Sequence, residues 1–388
     1  MALDWLDDAL EERRQAACSR SPVRAAAGRR VVRGRWSPAP QLRAGNDYLG
    51  LAGDTRLQAA AVAAIESAGS RASMLVSGRG EWHARLEQRL AMFHHAEAAL
   101  LFPTGYAANV GTIGALVGSG DVVLCDRLNH ASLIDGCRLS GAKLRVYPHG
   151  DVADAARQLH ATRDARRRLV VTDSVFSMDG DLAKLAELAE ACRSERAMLL
   201  VDEAHATGVY GPGGRGLTEA LQGHDTHIIK VGTLSKALAG QGGYVVGSQT
   251  LIDWLFNLAR TQMFSTALTP AACASALAAL DIVAAEPWRR EHLRDLSRRL
   301  RSTLSHAGIE TGGDLNSPIV PIVVGDADRV VALGKRLEDR GCLVATIRPP
   351  TVPRGTSRLR VSLSAAHSQA DVDLLVQSIR ASWDASPG

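Results

Sequence analysis

Seven short apolar runs, separated mostly by segments of helical spacing, constrain the fold of this chain more than any other feature. They are AALLF (98–102), DVVLC (121–125), KLRVY (143–147), LVVTD (169–173), AMLLVD (197–202), HIIKVG (227–232) and GYVVG (243–247). Between most of them lie helix-type stretches such as YAANVGTIGALV (106–117) and LAKLAELAEACRSE (182–195). Strands that alternate with helices predict βαβ units and a mainly parallel sheet. Unbroken apolar character predicts strands covered on both faces. The expected core is therefore an α/β domain around a mainly parallel seven-stranded sheet.

The pattern changes around Pro287. A long Ala-rich helix (270–286) precedes it. After it come a helix (288–307), a strand near PIVPIVV (318–324), a helix (328–341), the segments LVATIRPP and RLRVSLSAA, and a last helix (369–384). This predicts three parts. Residues 1–45 form an amphipathic helix (3–20) and an Arg-, Gly- and Pro-rich arm, residues 46–286 a large domain, and residues 287–388 a small α+β domain. The length suits that division: 388 residues at 46% hydrophobic can bury a sizeable core.

Composition excludes some function classes. A net charge of +4, from 45 basic and 41 acidic side chains, is too small for a dedicated nucleic-acid binder. The six cysteines, at 18, 125, 137, 192, 273 and 342, show no metal-ligand spacing. They read as reduced thiols in a cytoplasmic protein. The N-terminal MALDWLDDALEERRQAA is a helix pattern rather than a charged head with an apolar run. No stretch is long and apolar enough to span a bilayer, so no membrane is expected.

Four motifs carry chemistry, and each has an ordinary structural alternative. In DEAHATG (202–208), Asp202 ends an apolar strand and His205 follows in the next turn. Ligands of open α/β sheets bind beyond the carboxyl ends of strands. Asp202 could pair with a protonated ring nitrogen there, or simply cap the next helix. In KVGTLSKALAG (230–240), Lys236 follows a strand end rich in small hydroxyl residues. A desolvated lysine is a nucleophile toward carbonyls, whereas an exposed loop lysine is inert. FPTGYAANVG (102–111) places Gly105 and Tyr106 at a helix N-terminus, which is a ready phosphate site or merely a good turn. DRLNHASLIDG (126–136) places His130 just past a strand end, to stack on a planar ring or to cap a helix.

Three further patterns carry less. GPGGRG (211–216) matches a dinucleotide fingerprint, yet no strand runs directly into it and no acidic residue ends a strand about twenty positions on. It reads as a loop, which removes the case for a nucleotide-binding oxidoreductase. His224, Asp225 and His227 suggest a metal cluster but read as a surface turn, so no metal is expected. RDARRR (163–168) reads as a solvated basic face.

Taken in order, NDYLGL (46–51), LVSGRGEWHARLE (75–87), HASLIDG (130–136), VFSMDGD (175–181), DEAHATGVYG (202–211) and TLSKALAGQGG (233–243) resemble the α-oxoamine synthases. These are fold-type I pyridoxal-phosphate enzymes that join an amino acid to an acyl thioester and release CO₂. The resemblance runs nearly end to end. Within that family, IRPPTVPRGTSRLRVSLSAAH (347–367) is similar to the member that uses L-alanine and a pimeloyl thioester, carried on coenzyme A or acyl carrier protein.

The resemblance implies residue roles. Lys236 carries pyridoxal 5'-phosphate as a Schiff base. Asp202 pairs with the pyridinium nitrogen, His205 reaches the phenolic oxygen and His130 stacks on the ring; these four form the catalytic set. Gly105, Tyr106 and Thr233 hold the phosphate, and Ser177 lies against the cofactor. Arg360 and Asn46 serve the amino-acid carboxylate, while Arg20 and Thr351 contact the acyl group. A homodimer with shared active sites is also implied. Two departures stand out: Ala239, where glycine is common, and the variant segment Gly69–Ser73. Both are small-for-small changes that bear on loop flexibility. Glycine C-acetyltransferase, 5-aminolevulinate synthase and a non-catalytic subunit of the same fold remain as alternatives.

Overall fold

The computed structural model describes residues 11–12, 29–32, 35–38, 41–42, 44–65, 69–221 and 227–383. Most of the expected N-terminal helix, with Arg20, His224 and Asp225, lies outside them. The chain divides into two compact units.

The larger unit comprises Asn46–Ser177 and Leu182–Glu291. It holds a seven-stranded sheet of β1 (Ala98–Phe102), β2 (Val122–Asp126), β3 (Lys143–Tyr147), β4 (Arg168–Asp173), β5 (Met198–Asp202), β6 (Ile228–Thr233) and β7 (Gly243–Gly247). Their order is β1-β7-β6-β5-β4-β2-β3. Only β7 runs antiparallel to its neighbours. Each strand lies within a residue of its apolar run. The reason is visible in burial: every residue of β2 is buried, while the edge strand β3 exposes Lys143 and Val146.

Helices Val152–His160 and Leu185–Ser194 cover part of the sheet. Leu159, Leu188 and Cys192 meet Leu124, Val170, Leu199 and Val201 there. Each such buried leucine or valine is worth about 1.5–3 kcal/mol. Apolar burial fixes the strand bodies, so polar chemistry collects at their carboxyl ends. Asp126, Asp173, Asp202 and Thr233 are the last residues of β2, β4, β5 and β6.

The smaller unit comprises Met1–Gly45, Met178–Asp181 and His292–Gly388. Its antiparallel sheet pairs β8 (Ile319–Gly325) and β9 (Ala345–Ile347) with the central β10 (Ser357–Ser362). Helices Ala327–Asp339 and Gln369–Trp383 belong to the same unit. The arm region is more than linker: Arg29–Val32 pairs with Arg35–Pro38, and Gln41–Leu42 pairs with Cys342–Leu343. Met178–Asp181 enters this unit through specific bonds. Asp179 pairs with Arg358, and the Gly180 carbonyl accepts from Asp314 N at 3.0 Å. The division after Glu291 lies beyond Pro287 for an equally local reason. Arg289 Nη1 donates to Leu49 O at 2.9 Å, and Arg290 Nη1 donates to Val283 O at 2.7 Å. These bonds hold the first turn of helix Trp288–His306 in the larger unit.

The basic run 163–168 is more than a solvated face. Arg166 grips Asp121 at 2.9 Å, Arg167 donates to Leu116 O at 3.2 Å, and Arg168 reaches Leu159 O at 3.1 Å. These side chains tie neighbouring loops and helix ends together. Among the described residues no group of three or more metal-binding side chains occurs, and no single helix is long and apolar enough to cross a membrane.

Candidate active site

Lys236, Asp202, His205, His130, Thr233, Gly105 and Ser177 all follow or end sheet strands on the carboxyl side. Lys236 lies three residues past β6 and is half-buried. Its Nζ is 2.7 Å from His205 Nε2. The His205 Nδ1 is in turn 2.6 Å from the Tyr48 hydroxyl. Tyr48 is fully buried and donates onward to Asn46 Oδ1 at 3.1 Å. Four residues from three chain segments thus form one hydrogen-bonded line.

Asp202 is 5% exposed, and both its oxygens are engaged. Oδ1 accepts from Ala204 N at 2.8 Å, a local turn bond of the kind an ordinary strand-end aspartate makes. Oδ2 accepts from Asn109 Nδ2 at 2.6 Å, a contact that only the fold creates. Asn109 also donates to Ser132 Oγ at 2.9 Å. A buried carboxylate is costly unless charge-assisted bonds offset its lost hydration. These two bonds fix the orientation of the Asp202 carboxyl group at the end of β5.

Asp173 sits beside it, register-paired with Asp202 across β4 and β5. Burial and the neighbouring Asp202 charge push the Asp173 carboxyl well above its usual range, opposed by the bond from His130 N at 2.6 Å. Two carboxylates this close disfavour double ionisation. His130 caps helix Ala131–Leu139, and its Nδ1 lies 2.7 Å from Ser132 Oγ. His130 is exposed. The protein packed around it is the largest influence on its pKa and lowers it; Asp202 opposes this, and Lys236 adds to it.

The phosphate-type features also converge. Helix Gly105–Leu116 begins with Thr104 Oγ1 accepting from Ala107 N at 3.0 Å. A Cβ at Gly105 would stand 3.1 Å from the Thr233 Cβ, so a side chain there would push the end of β6 back by a few tenths of an ångström. Thr233 Oγ1 is 2.8 Å from Ser235 Oγ. The N-terminus of a 12-residue helix, facing two hydroxyls, is a site for an anion. The Tyr106 side chain is exposed, and its hydroxyl donates to Asp135 Oδ2 at 2.5 Å.

Arg360 and Thr351 belong to the smaller unit and are described with it. Arg360 lies on β10, 5% exposed, with Nη1 donating to Ser362 Oγ at 2.7 Å. Arg358, two residues earlier on the same face, is paired with Asp179. Thr351 is exposed in the turn after Arg348.

GPGGRG is a loop that wraps carboxylates of the chain itself. Gly213 N and Arg215 N donate to Glu219 at 2.9 and 3.1 Å. Leu217 N and Thr218 N donate to Glu203 at 3.1 and 2.6 Å. Gly216, at φ +98°, has no room for a side chain, since a Cβ would meet the Glu203 carboxylate at 2.6 Å. The amides that would cradle a phosphate are thereby used. Residue types at motif spacing hid four residues that this site depends on: Tyr48, Asn109, Asp173 and Glu203. Tyr48, Asn109 and Glu203 stand inside the quoted motifs, and that position was the available signal.

The class of protein now follows. The model of the aminotransferase class I and II family matches residues 44–379. The chain belongs to that family, and its curated relatives narrow the assignment to the 8-amino-7-oxononanoate synthases. The 8-amino-7-oxononanoate synthase of Anaeromyxobacter dehalogenans is 51% identical over 385 residues, 98% of this chain and 96% of its own. That of Alkalilimnicola ehrlichii is 52% identical over 338 residues, 86% of each chain. Among solved structures, a serine palmitoyltransferase of Sphingomonas wittichii superposes with TM-score 0.90 at 32% identity, covering 99% of this chain and 98% of that one. The 8-amino-7-oxononanoate synthase of Francisella tularensis gives 0.75 at 26% identity over 89% and 98%. The fold is that of the fold-type I enzymes, as expected from the sequence.

Proposed function

We propose that this protein is a pyridoxal-phosphate-dependent acyltransferase that condenses L-alanine with a pimeloyl thioester. The products are 8-amino-7-oxononanoate, CO₂ and the free thiol, a step of biotin biosynthesis. The observation that carries this reading is Lys236 Nζ at 2.7 Å from His205 Nε2, with Asp202 held by Asn109 at the neighbouring strand end.

The side chains present fit pyridoxal 5'-phosphate. Lys236 would hold it covalently, Asp202 would face its ring nitrogen, and the Gly105 turn with Thr233 would take the phosphate. His130, His205 and Ser177 would line its ring. Bound there, the cofactor supplies an electron sink for negative charge at the amino-acid α-carbon.

The chain's own groups do the rest. Arg360 binds the alanine carboxylate through its planar fork, with Asn46 assisting. Freed when the amino group of alanine takes its place, the Lys236 amine takes the Cα proton and returns one at the end. With the cofactor bound, a negative charge on Asp202 would favour the protonated form of its ring nitrogen. The nucleophilic α-carbon forms a bond to the thioester carbonyl carbon, and the C–S bond breaks to release the thiol. Loss of CO₂ from the resulting β-keto acid follows. Arg20 and Thr351 contact the acyl chain, whose carrier is coenzyme A or acyl carrier protein. Two copies assemble as a homodimer with shared active sites, in the cytoplasm.

The test is an absorbance spectrum of the purified protein with the cofactor, titrated with L-alanine and then a pimeloyl thioester. Lys236→Ala should abolish both the bound-cofactor band and turnover; normal turnover would end this reading. Preference for glycine and a short acyl thioester would replace it with one of the glycine-using siblings.

A further inference from the structure

We propose that Tyr48 is a positioning residue that pairs with Nδ1 of His205 in either tautomer, and so lets His205 serve first an amine and then an oxygen acceptor. The inference rests on the proposed function for the second of those partners only.

The line Lys236–His205–Tyr48–Asn46 has a direction. A protonated lysine amine has three donors and no acceptor. In its charged form the Lys236 amine donates at 2.7 Å to His205 Nε2, which is then the unprotonated nitrogen. The proton then sits on Nδ1, which donates to the Tyr48 oxygen at 2.6 Å. The Tyr48 hydroxyl passes its own hydrogen to Asn46 Oδ1 at 3.1 Å. Every bond in this order has one donor and one acceptor.

A partner that can only accept reverses the order. If Nε2 faces the ring oxygen of bound pyridoxal phosphate, Nε2 must carry the proton. Nδ1 then becomes an acceptor, and Tyr48 turns its hydroxyl hydrogen from Asn46 to His205. A phenol can do both because it donates and accepts at one atom. Phenylalanine can do neither. Tyr48 is fully buried and His205 is 4% exposed, so bulk water does not supply the exchange directly. The two rings stand 5.9 Å apart at 52°.

The reversal couples two parts of the site. When His205 turns to an acceptor, Tyr48 gives up its bond to Asn46, the residue assigned to the substrate carboxylate. Loading the cofactor thereby changes the hydrogen bonding of a substrate-side residue without moving a backbone atom.

The experiment is nitrogen NMR of ¹⁵N-histidine-labelled full-length protein, with the His205 signal assigned by loss in His205→Asn. In cofactor-free wild type, the Nδ1-protonated tautomer is expected; the Nε2-protonated tautomer would overturn the proposal with no variant needed. On adding pyridoxal phosphate the tautomer should reverse; an unchanged tautomer in protein that visibly binds the cofactor also overturns it. In Tyr48→Phe, the ratio of the two absorbance bands of bound cofactor at fixed pH should change about three- to tenfold, the size of one altered hydrogen bond. An unchanged ratio refutes the assignment. If wild type binds no pyridoxal phosphate at all, the proposed function fails, while the cofactor-free tautomer still judges Tyr48.

Discussion

Replacing Glu203 by alanine should destabilise the larger unit far more than an average substitution. Glu203 is fully buried, between the strand-end Asp202 and His205. Its carboxylate accepts from Ser174 Oγ at 2.7 Å, Leu217 N at 3.1 Å and Thr218 N at 2.6 Å. Alanine would orphan the Leu217 and Thr218 amides, while Ser174 Oγ keeps its 2.9 Å bond to Asp202 O. Each orphaned donor costs about 1–3 kcal/mol when left buried and unmatched, so the expected loss is at least about 2 kcal/mol. Lys230, buried on β6 with its pKa lowered by burial, would also lose one of the two carboxylates that favour its charge. Glu203→Gln keeps the volume and one acceptor oxygen. If that oxygen replaces Oε2, it can still serve Ser174 and Leu217, while its amide group would face the Thr218 N–H. It should therefore cost clearly less than alanine. Urea-denaturation midpoints of wild type and both variants measure this, with pyridoxal phosphate occupancy as a second readout. Glutamine as harmful as alanine, or alanine within about 1 kcal/mol of wild type, would refute the reasoning.

Other outcomes follow from the same geometry. Asn109→Ala removes the 2.6 Å bond to Asp202 and should weaken cofactor binding by about 10- to 100-fold, the size of a charge-assisted bond; a cofactor titration with unchanged affinity would show that the clamp is unnecessary. Ala239 is held at φ +51° in the turn after Lys236, so Ala239→Gly should stabilise by about 0.5–1 kcal/mol in thermal melts. A lower melting temperature would contradict that. Burial and the neighbouring Asp202 charge raise the folded Asp173 pKa well above its ordinary value. Its neutral form favours the fold, so this contribution is full below the unfolded pKa and is lost as pH rises through the folded one. Asp173→Asn cannot ionise, and its stability relative to wild type should improve between about pH 4 and neutrality. A difference between the two proteins that stays constant over that range would rule out the raised carboxyl.

The departure at Ala239 illustrates how far residue types reach. As a small-for-small change it carried little weight. The structure shows a left-handed backbone, where a methyl group costs what glycine would not. The basic run 163–168 teaches the same lesson, because the partners of its arginines come from loops and helix ends distant in the chain.

The sequence by itself determined the strands of the large sheet and the lysine that follows β6. Those depend on local apolar runs and motif order, which are properties of neighbouring residues. Only the tertiary structure decided who holds the reactive groups in place. Asn109 and Asp202 are 93 positions apart, and Tyr48 and His205 are 157 apart. No local pattern reports a hydrogen bond over such separations. It exists because strands packed by apolar burial end side by side, bringing their polar last residues and the loops beyond them together.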